Sequence, residues 1–542
     1  MARTPLMHTL RRLAADHAAA DRLRMPAAEI RGSSRRELLT RAVALGLGTA
    51  LASAAAPAHA VETLPDKKPA TPARVAVIGA GISGLTAALT LTDAGIPFTL
   101  YEANPARVGG RMWTQRTHWA HGQTSEIGGE LIDTSHKKIL ELCRRFDLPT
   151  EDFLGGGPNG AEETLWFNGE YYSRTQADED FKAVYQALRR DLQAAGEVSW
   201  NSSTPAGTAL DNMTLYEWIE TRVPGGHTSQ LGRFIDVAYN VEYGADTTAQ
   251  SALALVLLMG YQPNPGHFNV WGLSNERYHI TGGNDRLPNA IASALPVGSI
   301  VMGRELLAVR ANPDGTQTLT FNDSGATRTA TTDHTILCVP LPILQRIDTT
   351  AAGFDPLMRN LLRDARMGHC TKLNMQFTNR PWRGAGPWPG ISAGDCFTDS
   401  PVQQTWDTTK VQPGNGGILL QYGGGSLAQA LTPATPFATE SDPCVRDLAT
   451  RMLTGIDAFY PGTKAAWTGR AQLSAWHRNP HALGAYSYWP TGYLHRYARY
   501  EGTAQGNIHI SGEHCSYDFQ GFMEGGATEG ARAAQEVITA LT

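Results

Sequence analysis

Gly79-Ala80-Gly81-Ile82-Ser83-Gly84 spaces three glycines for phosphate chemistry. In such a turn the first glycine makes the bend and the second lets backbone approach a pyrophosphate. The third lets a helix pack closely on a strand. Ile82 and Ser83 would open that helix, whose positive dipole end suits a phosphate group. Glu102 follows 18 residues after Gly84, where a carboxylate can take ribose hydroxyls. Val108-Gly109-Gly110-Arg111 can bring more backbone and a guanidinium onto the same pyrophosphate from a second side. Near the other end of the chain, Gly512-Glu513 and Gly521-Phe522-Met523-Glu524-Gly525-Gly526 lead into a second helix N-terminus. Backbone N–H groups there suit the electron-rich end of a flavin ring. A dinucleotide gripped along its whole length is FAD rather than NAD.

These residues need particular elements to hold them. Arg74 to Ile78 is a β-branched run that reads as a buried strand. Leu85, Ala88, Leu89 and Leu91 give the following helix an apolar face, ending near Gly95, and Phe98 to Tyr101 reads as the next strand. Asn507 to Ser511 reads as a strand, and Ala527 to Leu541 as the helix behind the second glycine cluster. A chain of 542 residues exceeds one hydrophobic core, so two or three interleaved domains are expected. With 42% hydrophobic and 18% charged residues the chain is a folded one. A formal charge of −5 supplies no basic surface for nucleic acid. The 56 glycines follow no three-residue period, which excludes collagen. Six cysteines show neither a C-x-x-C pair nor zinc spacing, so no metal site is expected and no disulfide is named.

Residues 1–60 read as an export signal. Arg35-Arg36 precedes an apolar run from Ala42 to Ala56, and Ala58-His59-Ala60 offers a signal-peptidase pattern. The paired arginine fits the twin-arginine machinery, which exports folded proteins and so suits a chain that first acquires a bulky cofactor. The stretch before that pair is long, and the start codon could lie further in. The apolar run of about 15 residues falls short of the roughly 20 that a spanning helix needs, so no stable membrane anchor is expected. Residues 61–72 read as a flexible leader. Periplasmic or secreted localisation follows from this reading.

Taken together, the nucleotide motif, Gly109-Gly110-Arg111, Ile127-Gly128-Gly129, and Gly512-Glu513 with Gly521 to Gly525 resemble the flavin-containing amine oxidases, which include monoamine, polyamine and L-amino acid oxidases. The resemblance covers nearly all of residues 73–542. It implies an α/β fold in which a Rossmann-type FAD-binding domain is interleaved with an α+β substrate domain, a mixed sheet flanked by helices. The FAD-binding parts would be 73–150, 276–345 and 476–542, and the substrate parts 151–275 and 346–475. The implied reaction takes a hydride equivalent from the carbon bearing an amine. The imine product then hydrolyses to an aldehyde or keto acid.

The same resemblance implies roles for single residues. Lys372 matches the lysine that holds a water against the flavin, although its alternation with Leu373 and Met375 also suits a surface lysine on a strand. Tyr486 and Phe522 match two walls of an aromatic cage; monoamine oxidases carry tyrosine where Phe522 stands. Both also suit ordinary aromatic core. Trp489 belongs to the same segment as Tyr486 and is expected on the substrate side. Gly128, Gly129, Val309, Trp476, Ala485 and Met523 are expected around FAD, with Val309 at the adenine end. Some members attach FAD through a cysteine at the place of Ala485; alanine implies a non-covalent cofactor.

The substrate's charge is read from Ile127-Gly128-Gly129-Glu130-Leu131-Ile132-Asp133. It contains two acids and no arginine that could pair with an amino acid's carboxylate. Glu130 and Asp133 therefore favour an amine, although both could instead cap the next helix. Arg380 or Arg478 could still reach a carboxylate, so an L-amino acid oxidase giving a 2-oxo acid is the runner-up. Flavin desaturases and protoporphyrinogen-type oxidases share the cradle, but Lys372, Tyr486 and Phe522 argue against them. A flavin-binding redox protein without turnover is the non-enzyme alternative. The expected partners are a small amine, oxygen or a periplasmic electron acceptor, and the export machinery. A homodimer is compatible with this, and the electron acceptor stays open.

Overall fold

The computed structural model describes residues 73–264 and 266–542. The export signal and leader read from residues 1–72 lie outside the described residues. The first core is a five-stranded parallel sheet in the order Ile508–Ile510, His334–Leu337, Val75–Ile78, Phe98–Glu102, Ile300–Met302. Val75–Ile78 is buried throughout, as expected of a central strand covered on both faces. The helix Ile82–Asp93 crosses from this strand to Phe98–Glu102. It packs on the C-terminal helix Met523–Leu541, which starts four residues before the expected Ala527. Glycine makes that contact close: a Cβ at Gly530 would stand 2.0 Å from the carbonyl oxygen of Ser83.

The second sheet has seven strands of mixed direction, in the order Trp467–Ala475, Cys370–Phe377, Gly417–Gly424, Gln404–Asp407, Cys396–Thr398, Thr164–Phe167, Glu170–Tyr172. Leu373, Met375, Leu419 and Leu473 fill the core on one face. Alternation along the strands sends Lys372 and Asn374 to the other. Helices from residues 174 to 259 form a layer beside this sheet. Ala252–Met259 has only apolar side chains and is almost wholly buried, while Ser173, Thr204, Thr214, Ser229 and Ser251 cap their helices.

The parallel sheet draws strands from residues 75–102, 300–302, 334–337 and 508–510, and the mixed sheet from 164–172, 370–424 and 467–475. The chain therefore passes repeatedly between an α/β unit of Rossmann type and an α+β unit. A three-stranded antiparallel sheet, Arg304–Ala311, Gln317–Asp323 and Ala326–Thr332, forms on one of these passages. No helix among the described residues is long and apolar enough to cross a membrane.

Candidate active site

A cleft of about 1380 Å³ opens at the carboxyl ends of the parallel strands. Gly79, Gly81, Ile82, Ser83, Glu102, Gly110 and Arg111 line one part of it, and Gly512, Glu513, Gly521, Phe522 and Met523 another. A Cβ at Gly110 would stand 3.1 Å from the Cα of Gly81, so the two glycine turns face each other closely. Gly84 lies outside the cleft. A Cβ there would stand 1.8 Å from the carbonyl oxygen of Gly79, which makes it the point of close helix–strand contact.

The helix Ile82–Asp93 has no side-chain cap and no acid in its first turn, leaving its N-terminal N–H groups for an anion. Glu102 is held at the cleft by the N–H groups of Ala80 at 2.6 Å and Asn104 at 2.7 Å. Arg111 donates to the carbonyl of Ala485 at 2.7 Å and to Glu513 at 3.0 Å. Burial is the largest influence on Glu513 and pushes it up. Arg111, His514 and the Ser487 hydroxyl outweigh burial and hold the carboxyl below the usual range. The helix Met523–Leu541 also lacks a side-chain cap. Its first-turn Glu524 points elsewhere and accepts the N–H groups of Lys138 and Ile139, each at 2.8 Å. Two open helix ends and a glycine-walled cleft between them fit a flavin dinucleotide. Val309 departs from the expectation. Its N–H donates to the carbonyl of Asp348 at 2.9 Å, and Arg304, Glu305 and Leu306 line the cleft in its place.

A second cavity of about 1090 Å³ adjoins the first, and Gly129, Trp476, Ala485, Tyr486 and Phe522 line both. Lys372 reaches it from the central strand Cys370–Phe377 and donates to the carbonyl of Gly128 at 2.8 Å and to Glu130 at 2.6 Å. The other oxygen of Glu130 accepts the Trp406 indole N–H at 3.1 Å. The Tyr486 hydroxyl donates to the carbonyl of Val241 at 2.9 Å and lies 2.8 Å from that of Tyr422. Phe522 meets the ring of His136 at 5.1 Å. Burial pushes His136 down to about 4. Its Nδ1 accepts the Asp133 N–H at 3.0 Å, so the ring is neutral with its proton on Nε2.

The segment carrying Gly128 and Glu130 is pinned from behind. Buried Glu126 takes the Thr114 hydroxyl, the Asn284 N–H and His279 Nε2, the last two at 2.9 Å. Burial, the largest influence, pulls His279 down. Its hydrogen bonds to Glu126 and Glu151 win and raise it to about 10, so the ring is an imidazolium.

The structure places two expected substrate residues elsewhere. Asp133 does not line the cavity. Its Oδ1 accepts from the Ser274 hydroxyl at 3.0 Å, the Asn275 N–H at 3.1 Å and the Glu276 N–H at 2.7 Å. Nor does it cap the helix Lys137–Arg145, whose N-terminal groups go to Glu524. Trp489 is buried against Tyr517 at 5.8 Å, away from both cavities. Glu130 lines the cavity, but Lys372 and Trp406 occupy its oxygens.

Two acids that the sequence reading passed over face the cavity instead, Glu242 and Glu276. Both side chains are half-buried at the cavity. Burial chiefly raises Glu242 to about 7, with Asp133 adding repulsion. Burial raises Glu276 to about 8, with Glu242 and Asp133 adding to it. Glu242 sits in the last turn of the helix Gln230–Tyr243, and Glu276 is held at φ +46° on the turn that Asp133 grips. The two Lys or Arg side chains lining this cavity, Arg111 and Lys372, are engaged by Glu513 and Glu130. Arg380 is tied to Asp407 at 3.2 Å and lines neither cavity, and nor does Arg478. Among the described residues, the second cavity therefore pairs aromatic walls (Trp271, Trp406, Tyr422, Tyr486, Phe522) with two carboxyls besides the engaged Glu130, and with no free cation. It can receive a positively charged molecule with an apolar body.

A family model described as flavin containing amine oxidoreductase matches residues 82–538. An L-amino-acid oxidase of Mus musculus is 26% identical over 509 residues, covering 88% of this chain and 72% of the relative. Among solved structures, a cyclohexylamine oxidase from Brevibacterium oxydans superposes with a TM-score of 0.72 at 21% identity, covering 87% of this chain and 100% of that one. A putrescine oxidase bound to putrescine gives 0.71 at 21% identity, covering 86% and 99%.

Proposed function

Because the chain belongs to the flavin containing amine oxidoreductase family, we propose that it oxidises amines carrying a second positive charge, such as short diamines, rather than amino acids. The observation that carries this reading is the pair Glu242 and Glu276 in a cavity whose Lys and Arg side chains are already neutralised. A substrate carboxylate would meet two acids there and no free guanidinium. A distal ammonium would meet carboxyls that ionise close to neutral pH. The putrescine named for one solved neighbour has this form.

FAD, held by the residues of the first cleft, supplies the electron acceptor for oxidation of the carbon that bears the nitrogen. The chain does the rest. Glu242 and Glu276 fix the charged end, which orients the other nitrogen toward the wall formed by Ala485, Tyr486 and Phe522. That reacting nitrogen must be neutral, and these aromatic surfaces offer it no cation and exclude water. Lys372 is held by Glu130 and Gly128, leaving one of its three N–H donors for water. Hydrolysis of the imine then gives an aldehyde and ammonia. Ala485 has no nucleophilic side chain, which supports a non-covalent flavin. Oxygen is proposed as the acceptor, giving hydrogen peroxide. The paired arginines at 35 and 36 support export of the folded protein.

The test is anaerobic flavin bleaching with diamines, monoamines of matched length and L-amino acids. Diamines are expected to bleach at the lowest concentrations. Bleaching by L-amino acids alone would remove this reading.

A further inference from the structure

The face of the seven-stranded sheet that carries Lys372 is polar where its opposite face is core. Register sets Lys372 across from Ser474 and Asn374 across from Gln472, so four polar side chains form one patch. Asn374 and Ser474 have no exposed surface, and Gln472 is 3% exposed. Yet both amide atoms of Asn374, the Ser474 hydroxyl and the Gln472 side-chain oxygen have no hydrogen-bond partner. Apolar residues of the same shape would be more stable at such positions unless something meets these groups. The occupant must both donate and accept, must be small, and must be neutral, since it lies beside the Lys372–Glu130 pair. Water meets all three requirements.

We propose that Asn374, Ser474 and Gln472 hold ordered water beside Lys372, and that this water moves protons to and from the Lys372 ammonium during turnover. The inference rests on the amine-oxidation reading for its chemistry. Oxidising R–CH2–NH2 to R–CH=NH releases two electrons and two protons, and reducing oxygen to hydrogen peroxide consumes two of each. One of these protons travels with the hydride equivalent and the other leaves on the iminium product, so a second proton has to be delivered to the site when oxygen is reduced. On the same strand Gln376 follows Asn374 and donates to the Gln123 side-chain oxygen at 2.8 Å and to the carbonyl of Ala120 at 3.1 Å, so hydrogen-bonding groups continue beyond the patch. Asn374 is a positioning residue here, since it acts through water and Lys372.

Two measurements on the flavin-loaded protein test this. A crystal structure is expected to show water within hydrogen-bond distance of Asn374 and Ser474. Direct pairing of Asn374 with Gln472 and a dry patch would overturn the proposal. In stopped flow, Asn374→Leu is expected to keep the amine's binding constant, and its Tm is expected to fall modestly, because the patch's water and Ser474 lose a partner. Its flavin reoxidation should slow about tenfold, with an altered solvent isotope effect. Ser474→Ala gives the same readout in smaller measure should the leucine not be accommodated, and Asn374→Ser, which leaves room for a further water, should restore the rate. Reoxidation and isotope effect unchanged in both Asn374→Leu and Ser474→Ala would overturn the proposal. Amine bleaching separates the two readings: if it persists while reoxidation is unaffected, the water patch fails and the amine reading stands.

Discussion

Glu276→Gln keeps the size of the side chain and removes one of the two charges that face the substrate cavity. A unit charge pair about 4 Å apart at an effective dielectric of about 20 attracts by roughly 4 kcal/mol. Stripping water from the incoming ammonium offsets part of this, leaving about 2 kcal/mol, or roughly a 30-fold weaker diamine. A monoamine of the same length should bind equally well or slightly better. The pH dependence gives a second handle. Below neutrality both carboxyls hold protons, because burial with repulsion from Asp133 raises Glu242 to about 7, and burial with repulsion from Glu242 and Asp133 raises Glu276 to about 8. A cation must displace those protons, so the wild-type dissociation constant should fall as pH rises through that window. In Glu276→Gln the upper part of the fall should vanish. The empty protein should show the reverse trend. A raised carboxyl stabilises the fold below its ordinary value near 4.5, and that contribution is lost as pH climbs through the raised values. The assay is anaerobic stopped-flow reduction between pH 6 and 9 with matched diamine and monoamine. Equal losses for both amines, or a flat wild-type profile, would refute the charge-pair argument.

Lys372→Met should strand Glu130, whose side chain is 4% exposed, and cost about 3–5 kcal/mol in stability. Lys372→Met with Glu130→Gln should recover much of that by calorimetry while reoxidation stays slower relative to reduction; recovery of normal reoxidation would count against Lys372. Acid precipitation of the holoenzyme should leave the yellow colour in the supernatant, since Ala485 cannot bond to flavin, and colour in the pellet would contradict this. His279 sits at about 10 in the fold against an ordinary 6.5. Its contribution to stability is therefore complete below the ordinary value and disappears as pH rises through about 10. Thermal unfolding should show this slope in the wild type and a shallower one in His279→Gln.

The cradle was legible because each glycine answers to a local requirement. Gly84 must pass a carbonyl, Gly110 must meet another glycine, and the strands on either side are short hydrophobic runs. Such constraints act within a few residues and leave a pattern in the chain. The alternation around Lys372 likewise suited the central strand it occupies, although the pattern alone left it open to solvent. The substrate acids were a different matter. Glu130 and Asp133 are next to the glycine segment and looked available, but partners from distant segments take their oxygens: Lys372 and Trp406 for one, Ser274 to Glu276 for the other. Glu242 lies in a helix that otherwise reads as core packing, and Glu276 lies in a loop of no evident motif. Val309 went astray because a family position says nothing about which backbone group is already engaged, and Trp489 because its ring packs on Tyr517 while nearby Tyr486 faces the cavity.

Asp133 shows why the distinction matters for substrate choice. It was expected to meet the substrate and instead supports Glu276, the residue proposed to do so. Its carboxyl gathers the N–H groups of Asn275 and Glu276 and thereby holds Glu276 in a left-handed conformation that a glutamate rarely adopts. Its charge also raises Glu276 and Glu242. Asp133→Asn would keep one acceptor oxygen for the turn and remove the repulsion. Glu242 and Glu276 should then ionise at lower pH, and diamine binding near pH 6.5 should tighten by a few-fold while changing little at pH 9. Asp133→Ala should instead release the turn and weaken diamines at every pH. If the two variants behave alike across the pH range, Asp133 acts only as scaffolding and its field does not reach the site.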